Sequence, residues 1–367
     1  MVQLLLAASR STSLAAASIL AVAAVLLAPA QGAAKSNVRA DKPEQWQMSL
    51  EGGRTLTWQS SFSSEAEVKP NRGFWNKLVD VIAGAPDFHF LVRPYSVTTD
   101  SRGRILVTDP GAKGVHIFDF SEHKYKFIQR IGRDKYSMDT PQCVAVDAQD
   151  NIYVTDSDVG MIFVFEPSGK YLRAIGNIKG GEGYFKRPTG IAVDSGAQRI
   201  YVTDTLRDEV FVLDMQGQVL QTIGSHGDGK GEFNLPTELR LNGPSLMVLD
   251  AMNFRVQVFD RSGTFQYAIG EIGDGLGTMF RPKGVGVDSE GDLYVADALR
   301  GMVQVFDRNG ELLYYFGVQG THAGEFQLPS GLFIDHNDRI YVVDSFNRRV
   351  QVFQYAGLKT QAQEKLK

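Results

Sequence analysis

Short runs of alternating apolar and polar residues, four to six positions long and separated by Gly, Asp or Asn, fill the chain from residue 93 to about 355. A period of two with such punctuation predicts short strands in tight succession. From Pro282 one unit reads PKGVGVD, SEGDLYVAD, ALRGMVQVFD and RNGELLYYFG, and a Gly-rich loop then leads to Pro329. Four strands per unit predict one antiparallel blade. Pro94, Pro141, Pro188, Pro236, Pro282 and Pro329 open six such units at intervals of 47, 47, 48, 46 and 47 residues. Self-similarity at that period signals a propeller or an array.

The second strands align as ILVTD, IYVTD, IYVTD, LMVLD, LYVAD and IYVVD, ending at Asp109, Asp156, Asp204, Asp250, Asp297 and Asp344. The third strands align as VHIFDF, IFVFE, VFVLD, VQVFD, VQVFD and VQVFQ. The prediction is an all-β, six-bladed β-propeller of four-stranded antiparallel blades. The sixth copy stops near Tyr355, before any fourth strand. An open edge invites aggregation, so RTLTWQSSF (Arg54 to Phe62) is expected to close blade six from the N-terminal side. Between it and Pro94, GFWNKLVDVIAG sets Phe74, Leu78 and Ile82 at helical spacing and ends on Gly84. That predicts one short helix, about 74–84, within an N-terminal segment 35–92. Its apolar side is expected on the propeller, with a partner-binding role as the alternative. Residues 356–367 form a tail.

Residues 1–34 have the pattern of a targeting segment: Arg10, an uncharged run from Leu14 to Ala28, then Ala30-Gln31-Gly32-Ala33-Ala34. A cleaved signal peptide is expected, placing the protein in the periplasm or extracellular space. An uncleaved anchor is the alternative, and the one route to a membrane. The remaining composition changes little: 43% hydrophobic, 22% charged and a net charge of -4 across 367 residues. That charge gives no global electrostatic reason to expect nucleic acid, whose binding rests on clustered Lys and Arg, although a local basic patch stays open. Cys143 is the sole cysteine, so no internal disulfide forms, and a monomer held by core packing is expected.

The progression from Pro-x-Gly through D-x-x-G-x-I-Y-V-x-D to R-V-Q-V-F and G-x-G-x-G-x-F, clearest in Asp335 to Phe353 and Gly224 to Phe233, resembles the NHL repeat. The resemblance covers residues 93–355. It implies the propeller fold, and a family with RNA-binding, scaffolding, lyase and lactonase-like members among which fold alone does not choose.

Residues present in every copy are expected to build the frame. The six second-strand aspartates, and the earlier series Asp100, Asp147, Asp194, Asp288 and Asp335, read as turn caps. Gly-rich loops such as GDGKGEF lead into Pro and a strand, and lack the helix N-terminus a phosphate cradle uses. His89, His116, His123, His226, His322 and His336 are scattered, whereas a zinc site needs about three converging ligands. Two positions after each Pro the chain reads Ser96, Cys143, Gly190, Glu238, Gly284 and Gly331. Glu238 therefore stands where the repeat prefers a small residue, and Asn242 replaces the expected aspartate in the same strand. A channel-facing Glu238 is the one candidate ligand for a hard cation such as calcium, its alternative being a solvated carboxylate. No cofactor is predicted; calcium or zinc would accompany the enzymatic alternative.

The loops after the second strands and the loops between blades share one end of the ring. That loop face is the expected contact surface. Its candidates are Arg207, Asn253, Arg255 and Arg300, with Asn347, Arg348 and Arg349 in blade six. They suit an acidic peptide, a glycan or a partner protein, or else pack against adjacent blades as part of the repeat. The expected function is thus a non-catalytic binding or scaffolding propeller, with a metal-dependent lyase or lactonase acting in the central channel as the alternative.

Overall fold

The computed structural model describes residues 46–68, 88–131, 136–176 and 185–357. The expected targeting segment, the helix at about 74–84 and most of the C-terminal tail lie outside them.

Six antiparallel sheets form a closed ring. Their inner strands are Ser96–Thr99, Pro141–Val146, Pro188–Asp194, Pro236–Asn242, Pro282–Val287 and Pro329–Ile334. Each packs against the next, and the sixth returns to the first. Five sheets have four strands running outward in chain order. Proline suits the first position of an inner strand, where no ladder N–H is needed, and the register slips just after it in blades two to six. The structure is a six-bladed β-propeller.

The sixth sheet is built from both ends of the propeller. Thr55–Phe62 pairs antiparallel with Arg349–Ala356, with Thr55 opposite Ala356 and Phe62 opposite Val350. Leu56 and Phe62 on it are buried. A further strand, Gln47–Ser49, pairs outside it and lays Trp46 edge-on to Phe353, ring centres 5.5 Å apart. Regular helix among the described residues is confined to single 3-10 turns at Glu51–Gly53, Glu65–Glu67 and Ala251–Asn253.

Apolar side chains facing alternately off each strand meet those of the adjacent sheet. The described residues form six buried clusters, each shared by two neighbouring blades; Leu56, Tyr294, Phe316, Phe326 and Phe353 belong to the one between blades five and six. An inter-blade loop tucks one large side chain into such a cluster, which constrains the loop's first residue. Gly224 has φ 89°, and a Cβ there would lie 2.3 Å from the Phe233 ring.

The recurrent aspartates anchor these loops. Asp109 accepts backbone N–H groups of Val92, Arg93 and Ala112, and Asp297 those of Phe280 and Arg281. All six are fully buried. Beyond this shared scheme the ring has two halves. In blades one and two, Thr108 and Thr155 donate to the carbonyls of Gln142 and Thr189 in the following blade, and Thr205 of blade three does the same to Pro236. In blades four to six a buried Gln257, Gln304 or Gln351 instead grips the loop backbone at Glu232, Thr278 or Glu325.

Candidate functional site at the channel mouth

Each inner strand begins at the end of the ring where the second strand stops: Pro188 pairs with Asp204, Pro236 with Asp250 and Pro282 with Asp297. The residues following the prolines therefore encircle the channel on the loop face. Tyr95, Gln142, Thr189, Thr237 and Lys283 line a cavity of ≈ 560 Å³ there, joined by Arg187 and Arg281 from just before the prolines and by Met252, Phe254, Phe280 and Leu299 from the loops.

Among the described residues no carboxylate lines this cavity, although it holds three cations. Lys283 lies 5.7 Å above the Tyr95 ring. Burial, and then the positive charges of Arg281 and Arg187, hold its ammonium below the ordinary lysine pKa. Among the described residues none of the three cationic side chains has an ion-pair partner. The Tyr95 hydroxyl is pushed up, first by burial and then by Cys143 and Glu238 beneath it. Thr237 Oγ1 is shielded from water without a hydrogen-bond partner.

Below the mouth the channel is filled. Glu238 is 1% exposed, and its Oε1 lies 2.8 Å from Arg240 Nη1. The Cys143 thiol of blade two donates to Glu238 Oε2 at 3.6 Å, while Arg240 Nη2 donates to the Leu332 carbonyl of blade six at 3.0 Å. Residues i and i+2 of a strand share a face, so Glu238 and Arg240 of blade four together bridge three alternate blades. Burial raises the Glu238 pKa against the pull of Arg240. Burial and the neighbouring Glu238 likewise raise the Cys143 thiol, which keeps it protonated. Elsewhere the repeat keeps this position small because the next blade presses on it: a Cβ on Gly190 would lie 2.9 Å from Glu238 Cα, and one on Gly284 2.2 Å from the Ser330 carbonyl oxygen. Asn242 sits at the far end of its strand, opposite Ser245 in the hairpin, and is not part of the Glu238 group. Among the described residues no three His, Cys, Asp or Glu side chains are grouped to hold a metal.

The loop-face candidates separate into two kinds. Arg255 Nε donates to Asp250 at 2.9 Å and its Nη2 to the Gly229 and Glu232 carbonyls; Arg349 does the same to Asp344, His322 and Glu325. Arg300 donates to the Thr278 and Gly273 carbonyls. Asn253 and Asn347 bond Gly227 and Gly320 in the equivalent loops. These five brace the inter-blade loops. Arg207 is partly exposed beside Asp204 and over Phe211, and Arg348 is exposed in a left-handed turn at φ 55°.

Glu238 stood out in the sequence, whereas its partner did not. The positions equivalent to Arg240 are Thr98, Ala145, Ala192, Gly286 and Phe333, so its charge was the available signal. The mouth cations fall on neither series compared, since they flank the prolines.

Residues 195–243 and 287–367, less than half of the chain, match a family profile described as a 6-bladed beta-propeller. The architecture and this match agree. No curated protein matches. Among solved structures, a gluconolactonase from Xanthomonas campestris superposes with a TM-score of 0.55 at 15% identity, covering 83% of this chain and 90% of that one. A virginiamycin B lyase from Staphylococcus aureus gives 0.51 at 13% identity over 71% and 94%. An auxiliary nutrient binding protein from Bacteroides thetaiotaomicron gives 0.55 at 10% identity over 72% and 69%. At these identities the likeness is one of fold.

Proposed function

We propose that this chain is an exported, monomeric binding propeller of the NHL-repeat kind, which captures a negatively charged group of a protein, peptide or glycan at its channel mouth. The observation that carries this reading is the convergence of Arg187, Arg281 and Lys283 on a cavity that, among the described residues, no carboxylate lines. Arg187 and Arg281 are exposed at the rim and Lys283 is half-buried between them, so an arriving anion meets accessible donors, and charge-assisted hydrogen bonds are the stronger kind. Arg281 and Lys283 come from one strand start and Arg187 from another, so the rigid ring fixes their spacing before any ligand arrives. The fold is shared by lyases, a lactonase and a nutrient-binding protein, and the metal-dependent alternative has Glu238 as its candidate ligand. That carboxylate is engaged by Arg240 and Cys143, which favours binding over channel chemistry.

Calorimetric titration with citrate, a simple polycarboxylate probe, tests the reading. Saturable binding is expected to weaken with salt and to fall by about tenfold or more in Arg281→Ala/Lys283→Met, the scale of one charge-assisted hydrogen bond. The same variant is expected to melt no lower than the parent, since it relieves repulsion. Equal citrate binding by parent and variant rejects the anion site. Stoichiometric calcium or zinc that survives dialysis and disappears in Glu238→Ala favours the enzymatic alternative.

A further inference from the structure

The mouth continues outward into an apolar trough. Leu299 lines both the mouth cavity and a second depression of ≈ 470 Å³, whose other walls include Leu328, Phe346, Gln319 and Gln327. Phe346 is 68% exposed, Phe280 49% and Leu328 45%. Single exposed apolar residues need no explanation, but a continuous patch beside a polar centre marks an interaction surface. The backbone adds a second sign. Leu235 and Leu328 each precede an inner-strand proline with φ 51° and 48°, a left-handed conformation that suits glycine or asparagine and is uncommon for leucine. Both leucines nonetheless stand at this surface, Leu235 in the mouth and Leu328 in the trough. Strained residues are retained where surrounding structure enforces them, and they concentrate at binding sites.

We infer that the loop face binds an extended peptide segment of a partner protein, seating a carboxylate against Arg187, Arg281 and Lys283 and laying adjacent apolar side chains along Leu299, Leu328 and Phe346. This inference rests on the anion-binding reading and narrows its ligand. Charge complementarity selects the acidic end. The aliphatic walls select the rest, because leucine surfaces suit apolar side chains better than the hydroxyl-rich edge of a sugar. Two joined depressions, of ≈ 560 and ≈ 470 Å³, fit a segment of several residues better than one compact metabolite.

The test is selection from a random peptide display library on the intact protein, followed by titration of the enriched peptides. Enrichment of Asp or Glu beside Leu, Ile or Phe is expected. Affinity is expected to fall by about tenfold or more in Leu328→Asn/Phe346→Ser, since each apolar side chain buried contributes at least about that factor. Asparagine accepts the left-handed backbone at 328 and Phe346 is on the surface, so the variant folds; unchanged citrate binding verifies this. Enriched peptides that lack acidic residues, or that bind the variant as well as the parent, overturn the inference. So does failure to enrich any peptide. Binding to phosphatidylglycerol vesicles that is lost in the same variant, without peptide enrichment, replaces the peptide with a membrane surface. Citrate binding without peptide binding rejects this inference alone, whereas absence of both rejects the anion site as well.

Discussion

Replacing Arg240 by methionine puts the filled channel to a quantitative test. The substitution keeps most of the side-chain volume and removes the guanidinium that faces Glu238 Oε1 at 2.8 Å. Glu238 is then a carboxylate with 1% exposure and no cation. Removing one member of a buried pair costs about 3–5 kcal/mol, because the other charge stays desolvated. The loss should depend on pH with a definite sign. The folded-state pKa of Glu238 lies above its ordinary 4.5, so the native state keeps this proton longer than the unfolded state does. An acid raised in this way weakens the fold as pH climbs from about 4.5 through the folded pKa. Without Arg240 the folded pKa rises further, so the deficit against the parent should be smallest near pH 4.5 and largest near pH 8. A share independent of pH, about 1–3 kcal/mol, belongs to the lost bond to the Leu332 carbonyl. Urea unfolding of both proteins at the two pH values measures this. Adding Glu238→Gln to the variant should restore most of the pH-dependent part. A deficit equal at both pH values, or below about 1 kcal/mol as for a solvated pair, would refute the buried-pair argument.

Two further outcomes concern the frame. Leu56→Ala empties a fully buried position on the closing strand and should cost about 2–5 kcal/mol; thermal melting with light scattering is expected to show an earlier transition and aggregation as the edge of Arg349–Ala356 is freed, and a melting curve like the parent's would mean that the strand does not hold the ring. Gly284→Ala sets a Cβ 2.2 Å from the Ser330 oxygen and 2.7 Å from the Leu332 nitrogen, both backbone, while Gly275→Ala meets nothing within 4 Å. The first should lose about 1–3 kcal/mol and the second little by chemical denaturation; equal effects would show that the inner strands are not in close contact.

Whatever repeats was legible in the sequence. Six prolines and six aspartates in register identify six blades, because each copy meets the same surroundings. The missing fourth strand after Tyr355 pointed to Arg54–Phe62 by elimination, and Thr55–Phe62 indeed pairs with the last strand. Strand Gln47–Ser49 has no counterpart in the other blades among the described residues and left no periodic trace. At the site, legibility ended where side-chain direction begins. Arg255 and Arg349 read as loop-face cations, yet the desolvated carboxylates of Asp250 and Asp344 draw them inward. Arg281 and Lys283 flank Pro282 without standing out, since nothing local indicates that Arg187 faces the same cavity. The two halves of the ring coincide with Thr108, Thr155 and Thr203 of the VTD strands, against Leu249, Ala296 and Val343 in the later copies.

Zipping an N-terminal strand to the last one also sets an order of events. Thr55–Phe62 stays without its partner until Arg349–Ala356 comes within reach. Blades one to five are each contiguous in sequence, whereas the sixth needs both ends of the propeller. Contacts between such distant residues form slowly. The folding chain therefore passes through an open arc, whose unpaired border along Arg349–Ala356 is a template for another chain until Thr55–Phe62 arrives.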